Sequence, residues 1–189
     1  MKNVLQINYW TVGGFDGKKP VEQALKEVKE MGLDGMELTF GAGDFAPGIS
    51  RSRCNEIRKY AGSIGMKIAT CASGDYWNLS LAATSSVTRK KAINFTKEYI
   101  QASGWVGAKA CLIIPGAVFV SGEEKIPVIP YAKVWELSTA SIKSLSVWNV
   151  PRSSCVNRQF SLISLAFSCS SESMASRALL FVFSSRNRS

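Results

Sequence analysis

The sequence predicts an α/β fold built on a parallel sheet, and two observations lead to that prediction. Over residues 1–145, short apolar runs rich in β-prone residues alternate with segments whose apolar residues recur at helical spacing. At the passage from helix to strand a glycine recurs as Gly32, Gly65 and Gly107, spaced by 33 and then 42 residues, the length of one βα unit. Strands that alternate with helices in this way form parallel sheets with right-handed crossovers.

Four strands and four helices are expected within this region. The predicted strands cover residues 4–10, 35–40, 67–72 and 108–114. The first helix opens at Pro20, whose fixed φ suits a first helical turn, and closes at Gly32. The apolar faces of the four helices are Val21, Ala24, Leu25, Val28 and Met31; Ile57, Tyr60, Ala61 and Ile64; Ala92, Ile93, Tyr99 and Ile100; and Tyr131, Val134, Trp135, Ile142 and Leu145.

Composition excludes several classes of function. No GxGxxG or GxxxxGK[ST] motif follows any predicted strand, which argues against a nucleotide-binding sheet. The net charge is +9, but no Lys/Arg stripe interleaved with aromatic residues occurs, so we expect no nucleic-acid partner. No apolar run reaches the length of a membrane span, and the first residues do not resemble a signal peptide. The expected location is therefore the cytoplasm, with no membrane partner.

The five cysteines predict neither a disulfide framework nor a zinc cluster. They are odd in number, widely scattered, and contain no CxxC pair: Cys54, Cys71, Cys111, Cys155 and Cys169. Buried thiols without a chemical role are the expected state.

The composition changes abruptly near residue 146. Residues 146–189 contain 13 serines, five arginines and one acidic residue, Glu172, but no glycine, lysine or aspartate. We therefore divide the chain into a βα domain, residues 1–145, and a Ser/Arg-rich tail, residues 146–189. The tail is interpreted as the product of a disrupted reading frame; the alternative is a genuine Ser-rich extension, disordered or partner-binding.

The third and fourth units resemble a known family. Residues 68–82 read Ile-Ala-Thr-Cys-Ala-Ser-Gly-Asp-Tyr-Trp-Asn-Leu-Ser-Leu-Ala, and residues 107–118 carry Gly-Ala followed by Leu-Ile-Ile-Pro-Gly-Ala-Val. Together with the strand at Asp34-Gly35-Met36-Glu37-Leu38, this order and spacing is similar to the xylose isomerase-like TIM barrels, the sugar phosphate isomerases/epimerases, and most similar to their ketose 3-epimerase branch. The resemblance covers about residues 2–145, the N-terminal half, or about four βα units, of a (β/α)8 barrel.

The resemblance implies a metal-assisted proton transfer next to a carbonyl, with a small sugar or sugar phosphate as substrate. The family holds a divalent metal (Mn, Co or Mg) with Glu, Asp, His and Glu from strands five to eight, and two glutamates serve as acid and base. This sequence contains no histidine, and after residue 145 its only acidic side chain is Glu172. We therefore expect no metal, no catalytic residue and no activity in this chain.

The same resemblance implies that the ends of the first four strands frame the substrate pocket. Tyr9 and Trp10 end the first predicted strand and would either stack on a sugar or pack beneath a loop. Glu37, inside the second, would bind substrate or a neighbouring strand. The remaining candidates follow the third and fourth strands, where glycine and proline also serve as ordinary turn residues: Ser73, Gly74, Trp77, Pro115 and Gly116.

Two alternatives stay open: a DNA-repair endonuclease of the same barrel superfamily, and a non-catalytic half-barrel that binds another chain. The missing histidines count against the endonuclease. We also expect self-association or aggregation, because a four-stranded half-barrel would leave its first and fourth strands open at their edges. Its inner face is expected to expose apolar side chains that include Val4, Met36, Ile68, Ala110 and Leu112.

Overall fold

A computed structural model describes residues 4–14, 17–119, 128–146, 160–165 and 180–185. Within it, strands β1 (Gln6–Asn8), β2 (Gly35–Thr39), β3 (Thr70–Ala72) and β4 (Ala110–Ile113) pair side by side in chain order, all parallel. The four predicted strands are confirmed, although each is shorter than predicted. The first ends early because the backbone of Tyr9 is already helical, with φ −51° and ψ −38°.

Each predicted helix is present. The helices are α1 (Trp10–Gly13), α2 (Val21–Glu30), α3 (Arg51–Ser63), α4 (Ser86–Trp105) and α5 (Tyr131–Ser146), and a short 3-10 turn covers Asp75–Trp77. The helix α1 and the 3-10 turn were not predicted, because each is too short to show a period. Two long helices begin at serine caps: the hydroxyl oxygens of Ser50 and Ser85 accept from backbone N–H groups three residues later. None of the described helices is both long and apolar enough to cross a membrane.

The three glycines at the helix-to-strand junctions behave as predicted. Gly32, Gly65 and Gly107 have φ values of +81°, +73° and +88°, in the left-handed region that side chains disfavour. Each lies two positions after the last residue of a helix and turns the chain back toward the sheet. The repeat seen in the sequence is therefore a repeated turn.

The sheet has one apolar and one largely polar face. On the helix side, strand residues pack into the main core with almost no exposure: Met36, Leu38, Cys71, Cys111 and Ile113. The opposite side, here called the inner face, consists of the alternate residues Gln6, Asn8, Glu37, Thr39, Thr70, Ala72, Ala110 and Leu112. The expectation for Met36 was wrong: it pairs with Ile7 on the helix side, because its neighbour Glu37 takes the inner position.

Two further strands extend the sheet beyond β4. β5 (Phe160–Leu165) and β6 (Leu180–Ser185) form an antiparallel pair, and β6 pairs antiparallel with β4, so the strand order is β1-β2-β3-β4-β6-β5. The prediction that the fourth strand has an open edge is therefore wrong. These two described tail strands are not a fifth parallel βα unit; the rest of the tail, including residues 147–159 and 166–179, lies outside the described residues.

The first strand keeps one edge without a neighbour among the described residues, since β1 pairs only with β2. Among the described residues, the expected open edge at the first strand is therefore present. This edge is the three-residue strand β1, and the neighbouring Leu5 is 64% exposed.

Close approach of β2 to the chain before β3 depends on Gly35. The backbone N–H of Met36 donates to the carbonyl of Lys67 at 3.0 Å, and that of Lys67 donates to the carbonyl of Asp34 at 3.0 Å. A β-carbon at Gly35 would collide with the carbonyl oxygen of Lys67. By contrast, a β-carbon at Gly62, inside α3, would have no atom within 4 Å.

This contrast gives a matched pair of variants. We expect Gly35→Ala to lower the free energy of unfolding by about 1–3 kcal/mol, because the backbones of β2 and residue 67 must separate. Gly62→Ala should instead raise it by about 0.5–1 kcal/mol, because alanine is the better helix former. Urea unfolding followed by circular dichroism measures both. Equal effects of the two substitutions would contradict the close approach at Gly35.

Candidate functional site

The loops that follow the four parallel strands meet at one edge of the sheet, as the carboxyl ends of parallel strands must. Most of the candidate residues lie on these loops: Tyr9 and Trp10 after β1, Ser73, Gly74 and Trp77 after β3, and Pro115 and Gly116 after β4. Glu37 lies one layer lower, in the middle of β2.

Glu37 is the centre of a hydrogen-bonded row that crosses three strands. Its Oε2 accepts from Asn8 Nδ2 at 2.7 Å, and its Oε1 accepts from Thr70 Oγ1 at 2.8 Å. Thr70 Oγ1 in turn accepts from Gln6 Nε2 at 2.6 Å. Glu37 is therefore hydrogen-bonded to both neighbouring strands, with both carboxylate oxygens engaged.

Asn8 connects this row to the loop above it. Its Oδ1 accepts from the backbone N–H of Trp10 at 2.9 Å and from Thr39 Oγ1 at 3.2 Å. Because a backbone N–H can only donate, the oxygen of the Asn8 amide must face Trp10 and its nitrogen must face Glu37. Glu37 therefore orients the Asn8 amide, and the Asn8 amide in turn binds the first backbone N–H of α1.

Tyr9 was expected either to stack on a sugar or to pack beneath a loop, and its side chain is packed beneath the loop. Its side chain is 1% exposed, and its hydroxyl donates to the carbonyl of Lys19 at 2.5 Å. A β-carbon at Gly13 would collide with its ring, so the ring lies directly against that backbone. Tyr9 therefore supports the loop from below and presents no surface to a ligand.

Trp10 and Gly74 lie together at the rim. The indole of Trp10 is half-buried, and a β-carbon at Gly74 would be 3.0 Å from its Cζ2 atom. Trp77, in the 3-10 turn, is 41% exposed. Two of the predicted aromatic candidates are thus accessible near the ends of β1 and β3.

The other three candidates hold loops in place. Ser73 is buried, donates to the carbonyl of Phe40 at 2.8 Å and accepts from the N–H of Asp75 at 3.3 Å. The carbonyl of Pro115 accepts from Ser138 Oγ at 3.4 Å. A β-carbon at Gly116 would collide with that of Ala82, so only glycine fits there.

The rim also contains Asp75, which sequence analysis did not select although it directly follows Gly74. Its carboxylate is half-buried, and a β-carbon at Gly41 would collide with it. Burial raises the pKa of this carboxyl above its ordinary value. A sequence signal was available, since an acidic residue directly after a Ser-Gly turn at a strand end is at the position where such sheets bind ligands.

The described residues do not fit the divalent metal that the resemblance implies. No histidine exists in the sequence, and the described residues hold no group of three or more His, Cys, Asp or Glu side chains that could surround an ion. Glu37 already uses both oxygens. The thiols of Cys54 and Cys111 are unsuited as well, because burial raises the pKa of each to about 12, and a metal binds the thiolate.

Comparison with known proteins gives a family and a set of similar folds. The family model for the xylose isomerase-like TIM barrel matches residues 25–145. A D-psicose 3-epimerase determined in the presence of D-fructose is similar, with a TM-score of 0.59, 13% identity, and coverage of 76% of this chain and 47% of that one. The D-psicose 3-epimerase of Clostridium cellulolyticum H10 with D-tagatose gives a TM-score of 0.58 at 16% identity, with coverage of 76% of this chain and 47% of that one.

An L-ribulose 3-epimerase gives a TM-score of 0.57 at 14% identity, over 77% of this chain and 45% of that one. At such identities the likeness concerns the fold. The chain spans about half the length of the solved structures it matches. No curated protein matches the chain in sequence.

The row through Glu37 predicts a measurable contribution to stability. Glu37→Gln removes one of two acceptor oxygens while Asn8 and Thr70 both still donate toward it, so we expect the free energy of unfolding to fall by about 1–3 kcal/mol. The control is Glu98→Gln, on the exposed side of α4, which should change it by less than about 0.5 kcal/mol. Urea unfolding decides the point; equal midpoints for the two variants would show that the row does not stabilise the fold.

Asp75 predicts a pH-dependent difference. Its pKa is raised on folding, so the charged carboxylate destabilises the fold at neutral pH, and this effect disappears as the pH falls through the folded pKa toward the unfolded value of about 3.9. We expect Asp75→Asn to be more stable than the parent chain at pH 7 and to lose that advantage toward pH 4. Thermal melts across this range test it, and a difference independent of pH would contradict the stated cause.

Proposed function

The chain belongs to the xylose isomerase-like TIM barrel family, and from this membership we propose that it is the sugar-facing half of a sugar or sugar phosphate isomerase/epimerase. The observation that supports sugar binding is the polar inner face: Asn8, Glu37 and Thr70 share one hydrogen-bonded row beneath an aromatic rim. Polyhydroxylated ligands need such a combination, because hydroxyls require hydrogen-bond partners and the C–H faces of a sugar pack against aromatic rings.

Trp10 is the aromatic group best placed for this contact. It is half-buried, its backbone N–H is fixed by Asn8, and its indole lies against Gly74 of the neighbouring loop. A residue whose backbone is fixed and whose ring packs against Gly74 on one side has less freedom to lose when a ligand binds. We therefore assign Trp10 as the stacking residue, with Trp77 as an exposed aromatic on the loop after β3.

We propose that this chain binds without turnover. Proton transfer next to a carbonyl needs a positioned acid and base. Glu37, the described carboxylate on the inner face, has both oxygens committed to Asn8 and Thr70, and the donor set does not fit the metal that the family uses. Activity of the family's kind then requires residues other than those described.

A second candidate function is a half-barrel that binds another chain, or a second copy of itself. The observation that favours it is the outer edge of β1, where the N–H and C=O groups of the strand have no partner strand among the described residues. Such an edge is a template for pairing.

The test uses the full chain with D-fructose and D-tagatose, the sugars present in the similar epimerase structures. We expect saturable binding with a Kd on the order of 1 mM, equivalent to about 4 kcal/mol, seen by ligand-observed NMR. In D₂O with Mn²⁺ we expect neither epimer formation nor deuterium incorporation. Calorimetry should show no manganese site tighter than about 10 µM, or roughly 7 kcal/mol.

The outcomes separate the two parts of the proposal. Absence of saturable binding for both sugars would overturn the sugar-binding function. Epimer formation, deuterium exchange at carbon, or a tight stoichiometric manganese site would overturn the absence of turnover while leaving sugar binding in place.

A further inference from the structure

We propose that Asp75 is a ligand-binding residue that accepts hydrogen bonds from two neighbouring hydroxyls of a polyhydroxylated ligand. The inference rests on the proposed sugar-binding function and names the group within that site which recognises the ligand. It concerns the hydroxyls of the ligand and not its carbonyl.

The position of Asp75 is the first argument. It begins the 3-10 turn directly after β3, and its neighbour Gly74 lies against the indole of Trp10. Its carboxylate lies over the backbone of Gly41, in the loop after β2. Loops from three neighbouring strands thus bring a carboxylate and an aromatic ring to the same stretch of the rim.

The second argument is that this carboxylate has no partner among the described residues. Every other described carboxylate either is hydrogen-bonded or ion-paired, or lies exposed on a helix, as Glu30 and Glu98 do. Asp75 is half-buried, yet neither of its oxygens has a hydrogen bond or ion pair with any described residue. Its backbone is engaged instead: the N–H donates to Ser73 Oγ at 3.3 Å, and the carbonyl accepts from the N–H groups of Asn78 and Leu79 at 3.0 and 2.7 Å.

An arrangement of this kind costs stability. Partial burial removes water from the carboxylate of Asp75, and no described protein group replaces the lost hydrogen bonds. The raised pKa of Asp75 reflects this loss of hydration. Groups that reduce stability in this way are concentrated at functional sites, where a ligand supplies the missing partner.

The local packing keeps the carboxylate available. Gly41 has a φ of +99°, and any side chain there would occupy the place of the carboxylate. The two oxygens of an ionised carboxylate provide about four acceptor positions, enough for two hydroxyl donors at once. Adjacent hydroxyls of a sugar present two such donors at matching separation, while Trp10 nearby offers an apolar surface.

The experiment compares the parent chain with Asp75→Asn, Asp75→Ala and the control Glu98→Gln, each titrated by NMR with D-fructose, D-tagatose and the carbonyl-free hexitol sorbitol. We expect Asp75→Asn to weaken the binding of all three by about tenfold or more, as loss of a hydrogen bond to a charged group does, and Asp75→Ala to weaken it at least as much. Glu98→Gln removes the same charge from a remote helix and should stay within about twofold of the parent.

Each outcome decides the inference. Unchanged binding by a folded Asp75→Asn overturns it while sugar binding by the chain stands. Ketose binding without sorbitol binding overturns the assignment to hydroxyls. No binding by the parent chain overturns both the inference and the proposed function. Asp75→Asn keeps the shape of the side chain, so it decides the matter if Asp75→Ala fails to give a cooperative melt.

Discussion

The parallel register of four short strands is the constraint on which both the core and the candidate site depend. Pairing of Ile7 with Met36 and of Asn8 with Glu37 places one residue of each pair against the helices and the next on the inner face. A slip of one residue would send Glu37 into the apolar layer and Met36 out of it. Since an unpaired buried carboxylate is strongly unfavourable, core packing and the polar row select the same register.

The polar row does more than satisfy its own members. Asn8 Oδ1 is fixed by Trp10, Asn8 Nδ2 by Glu37, and Glu37 by Thr70, so each amide or carboxylate has a defined orientation. The row also fixes the start of α1 at the rim, because the first N–H of α1 donates to the Asn8 amide at one end of the row. Glu37 therefore holds the amide of Asn8 and, through it, the backbone N–H of Trp10, whereas the side chains of Trp10 and Asp75 keep accessible surface at the rim. Rigid support beneath accessible groups is what a binding site needs.

Sequence reasoning succeeded where a local rule decides the structure. The junction glycines and the alternation of strands with helices follow from short-range geometry, and both are present. The predicted helix faces are mostly buried, but the expectation was wrong for Met31, Tyr131 and Trp135, which are 58%, 44% and 47% exposed. Sequence reasoning failed where the position of a side chain depends on the residues that pack against it from other parts of the chain. The expectation for Met36 assumed that an apolar strand residue faces the barrel interior. Met36 instead packs into the core on the helix side of the sheet. The sequence left two roles open for Tyr9 and for Glu37, because it does not show their hydrogen-bond partners, which are Lys19 for Tyr9 and Asn8 and Thr70 for Glu37.

The antiparallel strand beside β4 constrains how a barrel can be completed. In a closed barrel of this family, a parallel strand would pair with that edge. Here the positions from Ala110 to Ile113 pair with those from Ser184 to Phe181, which uses the same backbone N–H and C=O groups. The two pairings exclude each other, so a partner supplying further barrel strands must either displace β6 or add at β1. Of these, addition at β1 breaks no pairing among the described residues, so β1 is the edge where a further strand can pair without displacing β6, next to the loop that holds Trp10.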